Sequence, residues 1–438
     1  MTHMLLRGRA LTFTDAPGAD DAAPSYRYFE DAGILVSDGK IAMLGSYDEV
    51  SKAAPAEAKR IDHRPHLIVP GFIDPHNHFP QMQVIGSYGT QLLDWLNKYT
   101  FVEEQRFNDE AHAARIASLY MDEMIRNGTT TAAAFCSVHR TSAEAFFTEA
   151  ARRDMLMIGG KVMMDRNAPE ALRDTPQSSY DDSKALIEKW HGKGRAHYAI
   201  SPRFGITSSD AQLEMAGALA REHPDCFMQT HLSENHQEIA QTKALFPWAR
   251  DYADVYERYG LLGPKSLFGH CIHMATREIE ALSETKSVAV FCPTSNLFLG
   301  SGLFDRAGLA ELNVRIAVAT DVGGGTSYSM LDTMDEAYKV LQLRRQKLSP
   351  LNSFYMMTLG NARALGLEHR IGTLEPGTDA DIAVLDIGAT PAMKLRAETV
   401  RTLSEELFVL QTTGGDRAVA EVYVAGQAAK SRLGQDEI

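Results

Sequence analysis

The sequence predicts an α/β protein: a (β/α)₈ barrel carrying a small β-sandwich built from both termini. Three observations carry that expectation. Between residues 70 and 370, eight short apolar segments, mostly β-prone, alternate with helical stretches. Both ends of the chain read instead as short strands separated by turns. At 438 residues the chain is too long for one small domain and long enough for a large barrel with an appendage. The expected division is 1–69 and 371–438 for the two parts of the sandwich, and 70–370 for the barrel.

In chain order, "GILVSDGKIAMLG" is two apolar strands around Ser37-Asp38-Gly39, a hairpin signal. "GTLEPGTDADIAVLD" and "AEVYVAGQ" repeat the style near the other end. Neither end offers enough apolar surface to fold alone, so the two are expected to fold together. The barrel strands are expected in "HLIVPGFID", "TTTAAAFC", "MLMIGGKVMMD", "AHYAISPRFG", "CFMQTHLSE", "SLFGHCIH", "SVAVFCPTSN" and "RIAVATDVGGG". The first helix between them, over 108–127, places Ile116, Leu119, Tyr120 and Met124 on one stripe, with Asn108 or Asp109 as its cap and Gly128 at its end.

Composition narrows the function classes. A formal net charge of -13 argues against nucleic acid as the main ligand, because phosphate binding needs concentrated Lys and Arg. A free nucleobase carries no phosphate and stays open. Four cysteines, Cys136, Cys226, Cys271 and Cys292, each lie beside apolar residues and form no CxxC pair. They read as reduced, buried thiols rather than a zinc framework. No apolar run is long enough to cross a membrane, and "MTHMLLRGRALTF" lacks a signal-peptide core, so a cytoplasmic location is the default expectation.

In a (β/α)₈ barrel the active site lies at the C-terminal strand ends. The first strand ends in "PGFIDPHNHFPQ", with His76 and His78 two apart and so on one side of a strand. By itself the pair means little, since a random chain with 15 His in 438 residues holds about half an H-x-H. Strand five adds His231 and Glu234, strand six His270 and His273, and strand eight Asp321. Three histidines and one carboxylate suit a divalent transition metal, zinc above all, although iron or manganese would accept the same ligands. The expected ligands are His76, His78, His231 and Asp321. His270 is open to ligation, with a hydrogen bond to the nucleophile or the tetrahedral intermediate as the preferred reading. His273 reads as structural. Glu234, three residues beyond His231, is expected to shuttle protons, the bland alternative being a carboxylate at a helix start. Asp321 doubles as acceptor of the water proton. Gly323-Gly324-Gly325 lacks the Lys-Ser/Thr of a P-loop and reads as a turn passing close to the site.

These segments, with "WLNKYTFVEEQRF", "SPRFG" and "CPTSNLFLGSGLF", resemble the amidohydrolase superfamily, and within it the guanine deaminases, over about residues 65–385. The resemblance implies hydrolytic deamination of guanine to xanthine and ammonia in a homodimer whose ligand is a small purine base, with no nucleic-acid or membrane partner. It also implies that Gln81 and Arg203 contact the base, Phe204 packs on it, and Trp95 and Leu96 line the pocket. The chemistry agrees: Gln81 offers donor and acceptor, and the Arg203 fork suits a carbonyl such as O6. The bland readings are a surface ion pair for Arg203 and a core position for Trp95. Two-metal members of the superfamily use a carboxylated lysine after strand four. Here strand four ends in Pro202-Arg203 and Lys161 lies in strand three, so one metal is expected. The rival reading is a related deaminase acting on another purine, a pterin or a triazine, for example 8-oxoguanine or ammelide. A non-catalytic scaffold is the rival from another class.

Overall fold

The computed structural model describes residues 3–18, 25–89 and 91–434. The N-terminal strands are β1 (His3–Phe13), β2 (Tyr26–Ser37), β3 (Lys40–Ser46) and β4 (Lys59–Pro70). Asp38 and Gly39 turn the chain between β2 and β3 with φ of 49° and 79°, the two left-handed residues that a tight hairpin demands. Gly71 then separates β4 from the first barrel strand.

Nine strands build the second sheet: β5 (Phe72–His78), β6 (Thr129–Phe135), β7 (Leu156–Gly160), β8 (Val162–Met163), β9 (Ala196–Pro202), β10 (Phe227–Leu232), β11 (Ser266–His270), β12 (Val288–Phe291) and β13 (Arg315–Val318). The order β5-β6-β7-β9-β10-β11-β12-β13 is parallel throughout, with the two-residue β8 pairing beside β9. Two backbone hydrogen bonds bridge the seam, from His78 N–H to Val322 O (2.6 Å) and from Asp321 N–H to His76 O (2.9 Å). This is the expected eight-stranded barrel, nearly closed. Alternation along the strands splits their side chains between two cores. Ala132 and Ala134 pack outward with the helices, while Ala133, Ile158, Phe227, Leu267 and Val288 pack among themselves.

The chain then returns through β14 (Ile382–Leu385), β15 (Val419–Val424) and β16 (Gln427–Ala428). They complete one seven-stranded mixed sheet, ordered β16-β15-β14-β4-β1-β2-β3, so the termini do fold together. Among the described residues no helix is long and apolar enough to cross a membrane.

The first barrel helix runs Glu110–Arg126, with the Asp109 side chain accepting from His112 N–H. Ile116, Tyr120 and Met124 are buried as expected. Leu119 is 41% exposed and lies off the buried stripe, which Ala113, Ala117 and Met121 complete.

Candidate active site

Four strand ends bring the polar groups together, and unusual backbone aims them. Ser233, His270, Cys271 and Asp321 all have left-handed φ, at 51°, 76°, 48° and 51°. Such residues cost about 1–3 kcal/mol each and persist only when the surroundings hold them. Here backbone hydrogen bonds do so: Cys271 N–H to Leu232 O, His273 N–H to Ser233 O, and Gly325 N–H to Asp321 O. Glycine is required beside them. A Cβ at Gly269 would lie 2.5 Å from the His76 ring, and one at Gly323 would lie 2.7 Å from Gln81 O.

The imidazoles of His76, His78, His231 and His270 surround Asp321. His76 Nε2 and His78 Nε2 each lie 3.4 Å from Asp321 Oδ1, and His270 Nε2 lies 3.7 Å from Oδ2. His78 Nε2 faces His231 Nε2 at 3.2 Å. His231 Nδ1 lies 2.7 Å from the Arg203 carbonyl, which can only accept, so Nδ1 carries the proton and Nε2 presents a lone pair to the cluster. His270 Nδ1 meets Asn296 Oδ1 at 2.8 Å and leaves its Nε2 free in the same way. His76 has no hydrogen-bond partner at either ring nitrogen, nor does His78 at Nδ1, among the described residues.

Buried lone pairs converging without donors are what a cation satisfies, and one ligand atom from each of His76, His231, His270 and Asp321 falls within 4.8 Å of the others. The residues therefore fit a divalent metal; this group includes His270, which the sequence leaves open to ligation, and does not include the expected ligand His78, whose Nε2 faces His231 Nε2 at 3.2 Å. Burial and the neighbouring imidazoles hold His231 well below the usual histidine range, and burial brings His78 down to about 4, so both stay neutral as ligands must be. Burial pushes Asp321 up, but the neighbouring imidazoles of His76, His78 and His270 outweigh it and keep it well below the carboxylate range.

Glu234 stands beside this cluster. Its Oε1 accepts from Ser301 Oγ at 2.8 Å, and its Oε2 lies 3.3 Å from His270 Nε2. Burial and the charge of Asp321 raise it to about 8. Its backbone N–H donates to Glu238 Oε2, and the Glu238 Oε1 accepts from Tyr252 O–H, which fixes the turn after β10. His273 is occupied structurally, with Nε2 on Ser301 O at 2.8 Å. Lys161 is buried and paired with Asp174, apart from the cluster.

A small cavity opens from the cluster. His78, His231, Glu234, His270 and Asp321 line one part of it, and Gln81 and Arg203 another. Trp95, Leu96 and Phe204 supply apolar wall, as do Leu92 and Leu299, which the sequence reading left out. It also left out Glu104, a buried carboxylate that accepts from Gln81 Nε2 at 2.9 Å and from Arg203 Nη1 at 2.7 Å. A second histidine group, His191 with Asp225 and Cys226, is closed to a cation. Tyr198 N–H donates to His191 Nδ1, so Nε2 keeps its proton and gives it to Asp225, while burial pushes the Cys226 thiol up to about 12.

The chain is similar to known proteins over most of its length. The model of the amidohydrolase family matches residues 67–429. A guanine deaminase of Escherichia coli strain K12 is 46% identical over 413 residues, 94% of either chain. The solved structure of an E. coli guanine deaminase superposes with a TM-score of 0.95 at 45% identity, covering 97% of this chain and 99% of that one. A guanine deaminase from C. acetobutylicum, solved with guanine bound in its active site, superposes with a TM-score of 0.88 at 30% identity, covering 98% of this chain and all of that one (100%).

Proposed function

The chain belongs to the amidohydrolase family, and from that premise we propose that it converts guanine and water to xanthine and ammonia. One observation carries the reading: a proton-transfer carboxyl beside a His/Asp cluster and two groups able to read a purine edge face the same cavity. His76, His78, His231 and Asp321 would hold the metal, for which three imidazoles and a carboxylate favour zinc. Bound there, the ion supplies an acidified water, its pKa brought to about 7, as nucleophile.

The chain's own residues handle everything else. Water adds at C2 of the base, one proton passes to the adjacent ring nitrogen, and the C2–N bond breaks as the exocyclic amine leaves with a second proton. Glu234 carries those protons, because a carboxyl raised to about 8 both takes and gives a proton near neutral pH. Asp321 takes the second of these protons from the added hydroxyl, and Glu234 delivers it to the departing amine. His270, its Nε2 free and facing Glu234 and Asp321, accepts a hydrogen bond from the attacking water. Arg203 donates to O6, Gln81 reads the neighbouring edge, Phe204 packs on the ring, and Trp95 and Leu96 keep bulk water out. A homodimer and a cytoplasmic location belong to the same proposal. The four buried free cysteines favour a reducing compartment.

Ammonia release from guanine, 8-oxoguanine, adenine, cytosine and ammelide tests the substrate. Guanine should lead the panel in kcat/KM by about 10²-fold or more over a base that leaves the buried polar groups unpaired. A guanine that ranks among the poor members refutes the reading.

A further inference from the structure

The buried Glu104 lies behind both groups assigned to the base. Its Oε1 accepts from Gln81 Nε2 and from Arg203 Nη1, each at 2.9 Å, and its Oε2 accepts from Arg203 Nη1 at 2.7 Å. All three side chains are buried. The Gln81 amide is held at its other end too, since Gly323 N–H donates to Oε1 at 3.2 Å. A carboxylate only accepts and a backbone N–H only donates, so the two contacts fix which end of the amide is nitrogen. Arg203 is held on a second side by the Phe101 ring, 5.4 Å from its guanidinium carbon. Both reading groups line the cavity and keep bonding capacity beyond these contacts: a second Nε2 hydrogen and a second Oε1 lone pair on Gln81, and the remaining N–H groups of the Arg203 fork. The carboxylate also cancels the guanidinium charge, in a place where water does not screen it.

We propose that Glu104 is a specificity-determining positioning residue: it fixes the Gln81 amide and the Arg203 fork as one rigid, electrically neutral plate that selects a neutral lactam base. The proposal rests on the purine-deaminase reading and extends it to release of the product. Xanthine loses a proton near neutral pH, whereas hypoxanthine stays neutral. A neutral plate holds the neutral base and lets the anion go. With Glu104 replaced by glutamine, the same plate would carry an uncancelled cation, and its preference should turn toward the anion.

The test compares zinc-loaded wild type with Glu104→Gln and Glu104→Asp. Inhibition constants for hypoxanthine and xanthine are measured at a pH where xanthine is ionised, together with kcat and KM for guanine. In Glu104→Gln the hypoxanthine constant should rise about ten-fold or more, the scale of a lost charged hydrogen bond, while the xanthine constant stays level or falls. The KM for guanine should rise more than kcat falls. Glu104→Asp keeps the charge and should recover the wild-type order of the two inhibitors. A ratio of the two constants that moves less than about three-fold in Glu104→Gln overturns the proposal, since loosening alone weakens both purines together. So does a loss confined to thermal stability. Failure of the wild type to turn over guanine would instead strike the reading beneath the proposal, so the two failures are separable.

Discussion

The two oxygens of Glu234 have separate tasks, Oε1 held by Ser301 and Oε2 turned to His270. Glu234→Gln keeps the size of the side chain and its contact with Ser301 but removes the transferable proton. It should retain metal and purine binding and lose about 10²–10⁴-fold in kcat, the usual worth of general acid-base help. Steady-state kinetics with a parallel metal assay checks it, and near-native turnover would remove Glu234 from the mechanism. The position behind this proposed role is legible in the sequence, three residues past a histidine at a strand end. That of Glu104 is not. Two adjacent glutamates stand in "FVEEQRF", and nothing local distinguishes Glu104 from Glu103, which pairs with Arg106. Only the fold brings Arg203, 99 residues later, onto it.

The seam of the barrel shows the same limit for whole elements. Strand–helix alternation is visible because it is local, and the helix at Glu110–Arg126 follows its cap and stripe. Closure is not local. Between β5 and β13 it depends on a helix that follows the last strand: the buried Asn361 donates through Nδ2 to Ile73 O and Val318 O, each at 2.8 Å, and accepts Val318 N–H at 3.0 Å. An asparagine there carries no sequence signal beyond a polar residue in an apolar helix. Asn361→Leu should leave one buried donor and two buried acceptors unpaired, at about 1–3 kcal/mol each. We expect a destabilisation of roughly 3 kcal/mol or more, and a loss of kcat because His76 and Asp321 sit just beyond the seam. A chemical-denaturation midpoint equal to that of the wild type would show that the backbone bridges alone close the barrel.

At the scale of the molecule, the pairing of both termini in one sheet could be inferred from their shortage of apolar surface, but not its strand order, which inserts β4 parallel to β1 and antiparallel to β14. That arrangement carries the chain directly from β4 into β5, and so from the terminal sheet to His76 and His78. The proposed metal then ties three strand ends that lie far apart in sequence, on β5, β10 and β13, at a face that carries several left-handed residues. Removing it should leave converging imidazole lone pairs buried without a donor. A ligand that binds only the folded state stabilises it by RT ln(1 + [L]/Kd), about 4 kcal/mol when the free ion is 1,000 times Kd. Chelated protein should therefore melt several degrees below the zinc-loaded form and release no ammonia from guanine, and zinc should restore both together. Restored melting with iron or manganese but not zinc would reassign the metal. A melting temperature indifferent to chelation, with turnover intact, would show that the cluster works without a metal and that the ligand assignment is wrong.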